Sequence, residues 1–362
     1  MKKVFIAATR QNDGKTLVSL GLLYAFQQRF KNVSYMKPVG QHYKLIKEEK
    51  IDKDAVLFRE AFGIEDKYST LSPIAVPRGF TEDYILNGNR DDLVAKITDA
   101  YEILSKDKDF LLIEGTGHAG VGSVFDLSNA DVAKLVGAKV VLIALGGVGR
   151  CIDEIILNKA LFDIMGVELL GVIINKVKRD KYDKVNNLVR KGLARHNIPV
   201  LGVIPYVNML TKPSVKLLKN ALKAEVLSGE EGLLNVVEKC VIGDMLPHDA
   251  LDAFSVNTVL IVPANREGMI MTALCGNVLG ADVIYCVSGI IFTSGIQPHK
   301  KIMNLVEHTK IPVLLVQDDS FNVATKINNM LVKLSSEDSE KIDKAKTLIE
   351  NYVDIDGICE KL

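Results

Sequence analysis

The chain has no tryptophan, no excess of charge of either sign and no apolar run of membrane-spanning length. The last two absences each remove a class of function. Lysine plus arginine and aspartate plus glutamate stand at 45 each. No long-range field therefore gathers nucleic acid or an anionic bilayer, and no basic cluster replaces one. The five cysteines (Cys151, Cys240, Cys275, Cys286 and Cys359) are odd in number and lack CxxC spacing. That pattern supports neither a disulfide framework nor a zinc site, and it fits a reducing cytoplasm. The apolar run that ends at Ala8 is too short for a signal-peptide core and leads straight into a glycine-lysine turn, so it reads as a buried strand.

What is present is a chain of 362 residues, 48% hydrophobic and 25% charged, long enough for two domains with proper cores. Short apolar strands at 4–8, 33–36, 110–114, 140–144, 169–175 and 200–204 alternate with helical patterns at 15–30, 91–106, 152–165 and 182–196. This is the pattern of a doubly wound, mostly parallel α/β sheet. A polar, glycine-containing stretch then suggests a linker over 226–237, closing a first domain at 1–225. A smaller α/β domain is expected at 238–362. Its strands lie at 258–262, 283–287 and 313–316, its helices at 269–279, 298–308 and 321–333, and a charged surface helix ends it at 337–352.

The segment from Ala8 to Thr16 sits where a phosphate cradle must sit, after a buried strand and before a helix. Backbone N–H groups of Asn12, Asp13, Gly14, Lys15, Thr16 and Leu17 would face phosphate oxygens. Lys15 would neutralise the β- and γ-phosphates, and the Thr16 hydroxyl can ligate Mg2+. The competing reading is a chance Gly-Lys-Thr at a helix start. Magnesium needs carboxylates from later strand ends, and Glu114 and Asp54 are the candidates, although Asp54 also fits a solvated first helical turn. Lys37, after the second strand, could hold an anionic substrate or could simply reach solvent. Asn175 ends a late strand where a side-chain amide can meet a purine edge. Lys178 stands where guanine-selective proteins keep an aspartate, which favours ATP over GTP.

In this order, the long-spacer loop, Lys37-Pro38, Asp54, Glu114-Gly115-x-Gly117, Asn175 and Gly202-Val203-Ile204-Pro205 resemble the dethiobiotin synthetase family over about residues 1–210. The resemblance implies Mg-ATP held by Lys15, Thr16, Asp54 and Glu114, with Lys37 at a carbamate. The implied reaction phosphorylates that acceptor in a carbon–nitrogen ligase sequence, and the implied assembly is a homodimer. Ala8, Arg10, Gln41 and Asp153 depart from the family pattern, and an aspartate at 153 disfavours a substrate carboxylate. The second domain is similar to the DRTGG domain, with Asn265-Arg266 and Thr293-Ser294-Gly295 at strand ends as ligand residues, or alternatively as a helix cap and a turn. Long phosphotransacetylases carry the same pair of domains in a regulatory region. That raises a second expectation, a nucleotide and metabolite sensor acting on a partner metabolic enzyme. The glutaminase triad of the related cobyrinic acid a,c-diamide synthases is not found after Leu227, where Cys275 reads as core.

Overall fold

The computed structural model describes residues 1–278, 285–330, 332 and 334–362. They fall into two compact units, one made of 1–207 and 334–362, the other of 208–333.

In the first unit, β1 (Lys2–Ala8) leads through the 9–14 loop into α1 (Lys15–Gln27), then β2 (Val33–Met36) and the two-residue strand β3 (Val39–Gly40). A hairpin of β4 (Tyr43–Ile46) and β5 (Glu49–Asp52) delivers the chain to α2 (Lys53–Phe62), α3 (Tyr68–Leu71) and β6 (Ile74–Ala75). There follow α4 (Phe80–Asn87), α5 (Arg90–Ser105), β7 (Phe110–Glu114), α6 (Asn129–Leu135), β8 (Lys139–Leu145) and α7 (Gly149–Ile164). Next come β9 (Leu169–Val177), α8 (Tyr182–Ala194) and β10 (Val200–Pro205). Six strands form one parallel sheet in the order β10-β9-β8-β1-β7-β2. From β1 the chain crosses to the edge at β2, returns to β7 between them, and then moves outward on the other side of β1 through β8, β9 and β10, so the connections change direction at β1, where open α/β sheets hold ligands. Continuous apolar runs make these strands: Val4 to Ala8 and Phe110 to Ile113 are wholly buried, as strands covered on both faces require.

The second unit holds α9 (Val215–Leu222), β11 (Glu225–Ser228), β12 (Lys239–Ile242), α10 (Pro247–Ala253), β13 (Val256–Pro263) and α11 (Glu267–Val278). It continues with β14 (Cys286–Thr293), α12 (Lys300–His308), β15 (Val313–Leu315) and α13 (Ser320–Asn328). Its sheet runs β11-β15-β14-β13-β12, parallel except for β11. Leu260, Val262, Ile290 and Phe292 fill the core on one face, and Val259, Ile261 and Ile291 that on the other. Leaving this unit, the chain adds α14 (Ser339–Tyr352) and α15 (Ile355–Lys361) to the first unit.

The expected α/β class and the main parallel sheet hold, and several boundaries move. The stretch expected as linker contains β11, which pairs with β15, and α9 before it packs its Val215, Leu218 and Leu222 into the second unit's core. That unit therefore begins near 208 rather than 238. The strand expected at 283–287 runs instead at 286–293, because the apolar run Ile290, Ile291 and Phe292 continues it; Val283 lies outside the described residues, as do Leu279 and Lys333 of two expected helices. The expected charged helix at 337–352 is present, with one face exposed, but it docks on the first unit and does not end the second. α14 buries Ile342, Ala345, Leu348 and Ile349, and it lies so close to α1 that a methyl at Gly21 would stand 2.3 Å from Ile349 Cγ1. Cys275, read as core, is exposed on α11.

Candidate functional site

The loop after β1 is shaped by two residues in the left-handed region, Asn12 (φ 66°) and Gly14 (φ 95°). Gly14 caps α1, and a Cβ there would stand 2.3 Å from Asn175 Nδ2, so only glycine fits both the torsion and the space. Within the loop, Asp13 Oδ2 accepts from Thr9 Oγ1 at 2.7 Å and from Arg10 N at 2.9 Å. Burial nevertheless raises the Asp13 pKa above its ordinary value. The Asn175 amide donates to Asp13 O at 2.8 Å, while its oxygen accepts from Lys176 N at 2.9 Å. Lys176 Nζ donates to Asn12 O at 2.7 Å. Asn175 thus braces the loop from a buried position.

The first turn of α1 carries no acidic residue, so its N–H groups and dipole are left for an anion. Lys15 is nearly buried and forms no ion pair among the described residues. Burial first, then the nearby Lys37 charge, pushes its pKa down to about 8.

Beside this loop the charged residues converge. Glu114 ends β7 with no exposed surface, a placement that costs several kcal/mol unless the charge is met. It is met by Lys37, whose Nζ lies 2.9 Å from Glu114 Oε1 and 3.0 Å from Asp54 Oδ2, and which also donates to Gly115 O at 3.2 Å. Thr16 Oγ1 donates to the same Glu114 Oε1 at 3.1 Å. Burial alone would lower the Lys37 pKa, but Glu114, Asp54 and Asp52 outweigh it and hold the ammonium charged above its ordinary range. Tyr35 on β2 stacks on Phe58 of α2 at 3.9 Å, which fixes the first turn of α2, with Asp54, against the strand that ends at Lys37. Asp52 caps α2 by accepting from Asp54 N at 2.8 Å, and burial together with the neighbouring Asp54 lifts its pKa to about 6.

Two buried oxygens remain over here, the Tyr35 hydroxyl and Glu114 Oε2. Glu114 Oε2 is buried and has no hydrogen-bond partner among the described residues. A hard cation wants oxygen donors of this kind, and Thr16, Asp54 and Glu114 supply a hydroxyl and two carboxylates around it. The donor set therefore fits Mg2+ bound together with phosphate oxygens.

Several residues that build this site escaped the sequence reading. Asn158 of α7 accepts from Ala119 N at 2.9 Å and donates to Thr9 O at 3.3 Å, tying the phosphate loop to the loop after β7. Its signal was an asparagine in helical register with the buried Cys151, Ile155 and Phe162. Asn129 likewise holds Thr116 N at 3.1 Å and donates to Thr116 O at 2.7 Å. Arg10 is held at 2.8 Å by Glu154, which also takes Arg150. Only the fold brings that pair together.

In the second unit the five expected ligand residues gather at the carboxyl ends of adjacent strands, yet groups of four of them bond to the chain itself. Arg266 donates to Met245 O at 2.7 Å, and Thr293 is fully buried with its hydroxyl 3.0 Å from Ser320 Oγ. Ser294 and Gly295 make a left-handed turn whose N–H groups donate to Asp318 O and Val316 O at 2.8 Å each. Asn265 is exposed.

A family model described as an AAA domain (AAA_26) matches residues 2–214. The chain belongs to this AAA domain family. A second model, the DRTGG domain, matches residues 217–330, so the expected order of a P-loop domain and a DRTGG domain holds. The chain is 26% identical over 370 residues to a phosphate acetyltransferase of Nitratidesulfovibrio vulgaris, covering 99% of this chain and 51% of that protein. It is 23% identical to a phosphate acetyltransferase of Pseudomonas aeruginosa, covering 100% of this chain and 52% of that one. The chain spans about half the length of these curated relatives. Among solved structures, the MinC:MinD cell division complex of Aquifex aeolicus matches 58% of this chain and 84% of that chain at 14% identity, with a TM-score of 0.38. No helix among the described residues is long and apolar enough to cross a membrane.

Proposed function

We propose that the first unit of this AAA-family chain binds ATP with Mg2+ in the loop between β1 and α1. The observation that carries this reading is the convergence of Lys15, Thr16, Lys37, Asp54 and Glu114 around a buried, unpartnered carboxylate oxygen. Residues so costly to bury mark functional sites more often than structural ones. The α1 amides and Lys15 would neutralise the phosphates, and Thr16, Asp54 and Glu114 would hold the cation, which supplies charge stabilisation at the γ-phosphoryl group. Titration calorimetry with an ATP analogue tests this. Binding that depends on Mg2+ and drops at least about tenfold in Lys15→Ala is expected; equal binding by the two proteins would sink it.

Within this reading the bound ATP serves phosphoryl transfer to an anionic acceptor, a carboxylate or carbamate. An acceptor oxygen attacks the γ-phosphorus, the bond to the β-phosphate bridging oxygen breaks, and ADP leaves with that electron pair. Lys37, the second ammonium at the site, supports this by its capacity to hold the acceptor. A second reading is favoured by the relatives: similarity to phosphate acetyltransferases runs through both units and stops at about half their length. That supports a nucleotide-sensing role for the pair of units. Release of ADP, measured over a panel of small carboxylic acids and carbamates, separates the two. Acceptor-dependent turnover supports transfer, and tight binding without turnover supports sensing.

A further inference from the structure

Two of the carboxylate oxygens open to a divalent cation, Glu114 Oε1 and Asp54 Oδ2, are already in use, while Glu114 Oε2 is not. All three protons of the Lys37 ammonium have acceptors: Glu114 Oε1 at 2.9 Å, Asp54 Oδ2 at 3.0 Å and Gly115 O at 3.2 Å. Two of those three atoms belong to the carboxylates assigned above to Mg2+. A metal at about 2.1 Å from the same oxygens would stand within about 4 Å of the ammonium, in a buried setting where like charges repel far more strongly than at a surface. Lysine and metal therefore exclude one another from these two oxygens. The lysine stem is also suited to leaving, since it is a flexible four-carbon chain ending in a point charge rather than a planar fork.

We propose that Lys37 is a stand-in for the divalent cation. It neutralises Asp54 and Glu114 while no metal is bound, and it must be displaced when metal enters with the nucleotide. Only after that displacement is its ammonium free for an anionic acceptor, so the site imposes an order of loading: metal and nucleotide first, acceptor second. This rests on the reading of Thr16, Asp54 and Glu114 as the cation's donors. It also explains why a fully buried glutamate is tolerated without a metal. Lys15, the other nearby cation, forms no ion pair with it, so the charge of Glu114 is met by Lys37.

The test uses the full chain and Mn2+, whose free concentration is read by electron paramagnetic resonance, without nucleotide at first. Lys37→Met removes the competitor at nearly constant length, and Mn2+ should bind at least about tenfold more tightly than to the wild type. Lys37→Arg keeps a cation able to span both carboxylates, and its Mn2+ affinity should equal or fall below that of the wild type. Sulfate, as a probe anion, should bind the wild type more tightly once Mn2+ and a non-hydrolysable ATP analogue are present. Circular dichroism reports folding. Should Lys37→Met fail to fold, Lys37→Arg and the sulfate measurement decide: tighter Mn2+ binding by the arginine variant, or sulfate binding indifferent to metal and nucleotide, overturns the proposal. Unchanged Mn2+ affinity in a folded Lys37→Met overturns it too. If the wild type binds no Mn2+ even with the ATP analogue, the reading of the site itself falls. If it binds Mn2+ with the analogue and Lys37→Met leaves affinity untouched, the stand-in role of Lys37 falls and the reading of the site stands.

Discussion

Replacing Gly21 by alanine sets two opposed effects against each other. Gly21 lies inside α1, where alanine favours the helix by about 1 kcal/mol over glycine. Its Cβ, however, would meet Ile349 Cγ1 at 2.3 Å and both Ile349 Cβ and the Ala345 carbonyl oxygen at 2.8 Å. The isoleucine can change rotamer, but the carbonyl belongs to the backbone of α14 and can yield only if that helix shifts. Overpacking of this kind costs about 1–3 kcal/mol. Undocking α14 altogether would expose Ile342, Leu348 and Ile349, at about 1.5–3 kcal/mol each, so the helix strains rather than leaves. The net expectation is a loss of about 0–2 kcal/mol. Urea denaturation followed by far-UV circular dichroism reads it as a lower midpoint at unchanged slope. Limited proteolysis should cut faster between the second unit and α14. The double variant Gly21→Ala with Ile349→Ala should lose less than the sum of the two singles, because the cavity left by the isoleucine receives the new methyl. A midpoint raised by the helix preference alone, or strict additivity in the double variant, would refute the close contact.

Two further expectations concern the phosphate loop and the core. Gly14→Ala places a Cβ in a left-handed residue (φ 95°) and 2.3 Å from Asn175 Nδ2, the amide that holds Asp13. ATP-analogue affinity by calorimetry should drop at least about tenfold while the circular dichroism spectrum stays native; undiminished binding would show that the loop geometry is not what selects glycine. Burial pushes the Cys151 thiol up to about 12 from an ordinary 9. With the folded value above the unfolded one, its contribution to stability is complete below pH 9 and is lost as pH rises toward 12. Wild type should therefore lose more stability between pH 8 and 10 than Cys151→Ser in paired urea titrations, and parallel losses would contradict the burial argument.

The phosphate loop was legible in the sequence because its chemistry is local: strand, turn, glycine, lysine and threonine follow one another within a single loop. The six main strands were equally plain, since strands buried on both faces must be almost wholly apolar. The ends of the elements were less so. The hairpin β4–β5 and α2, which position Asp52 and Asp54, left no periodic signal strong enough to mark, and the charged α14 looked like a surface helix. Its lysines and glutamates dominate its composition, yet a single apolar stripe is enough to dock it. The second-unit motif shows the reverse. Arg266 and Thr293 stand where the pattern puts them, but the tertiary structure spends them on the Met245 carbonyl and the Ser320 hydroxyl.

The sequence alone determined the parallel α/β class and the P-loop, because each depends on neighbours a few residues away, and it named Lys37, Asp54 and Glu114 only as candidates. Only the tertiary structure decided how they meet. Thr16, Lys37, Asp54 and Glu114 come from four separate segments, and the parallel order of β1, β7 and β2 is what carries their ends to one edge. That convergence makes Lys37 the partner of both carboxylates and leaves one oxygen of Glu114 unmet. No spacing in the chain encodes those distances; they follow from which strands lie side by side.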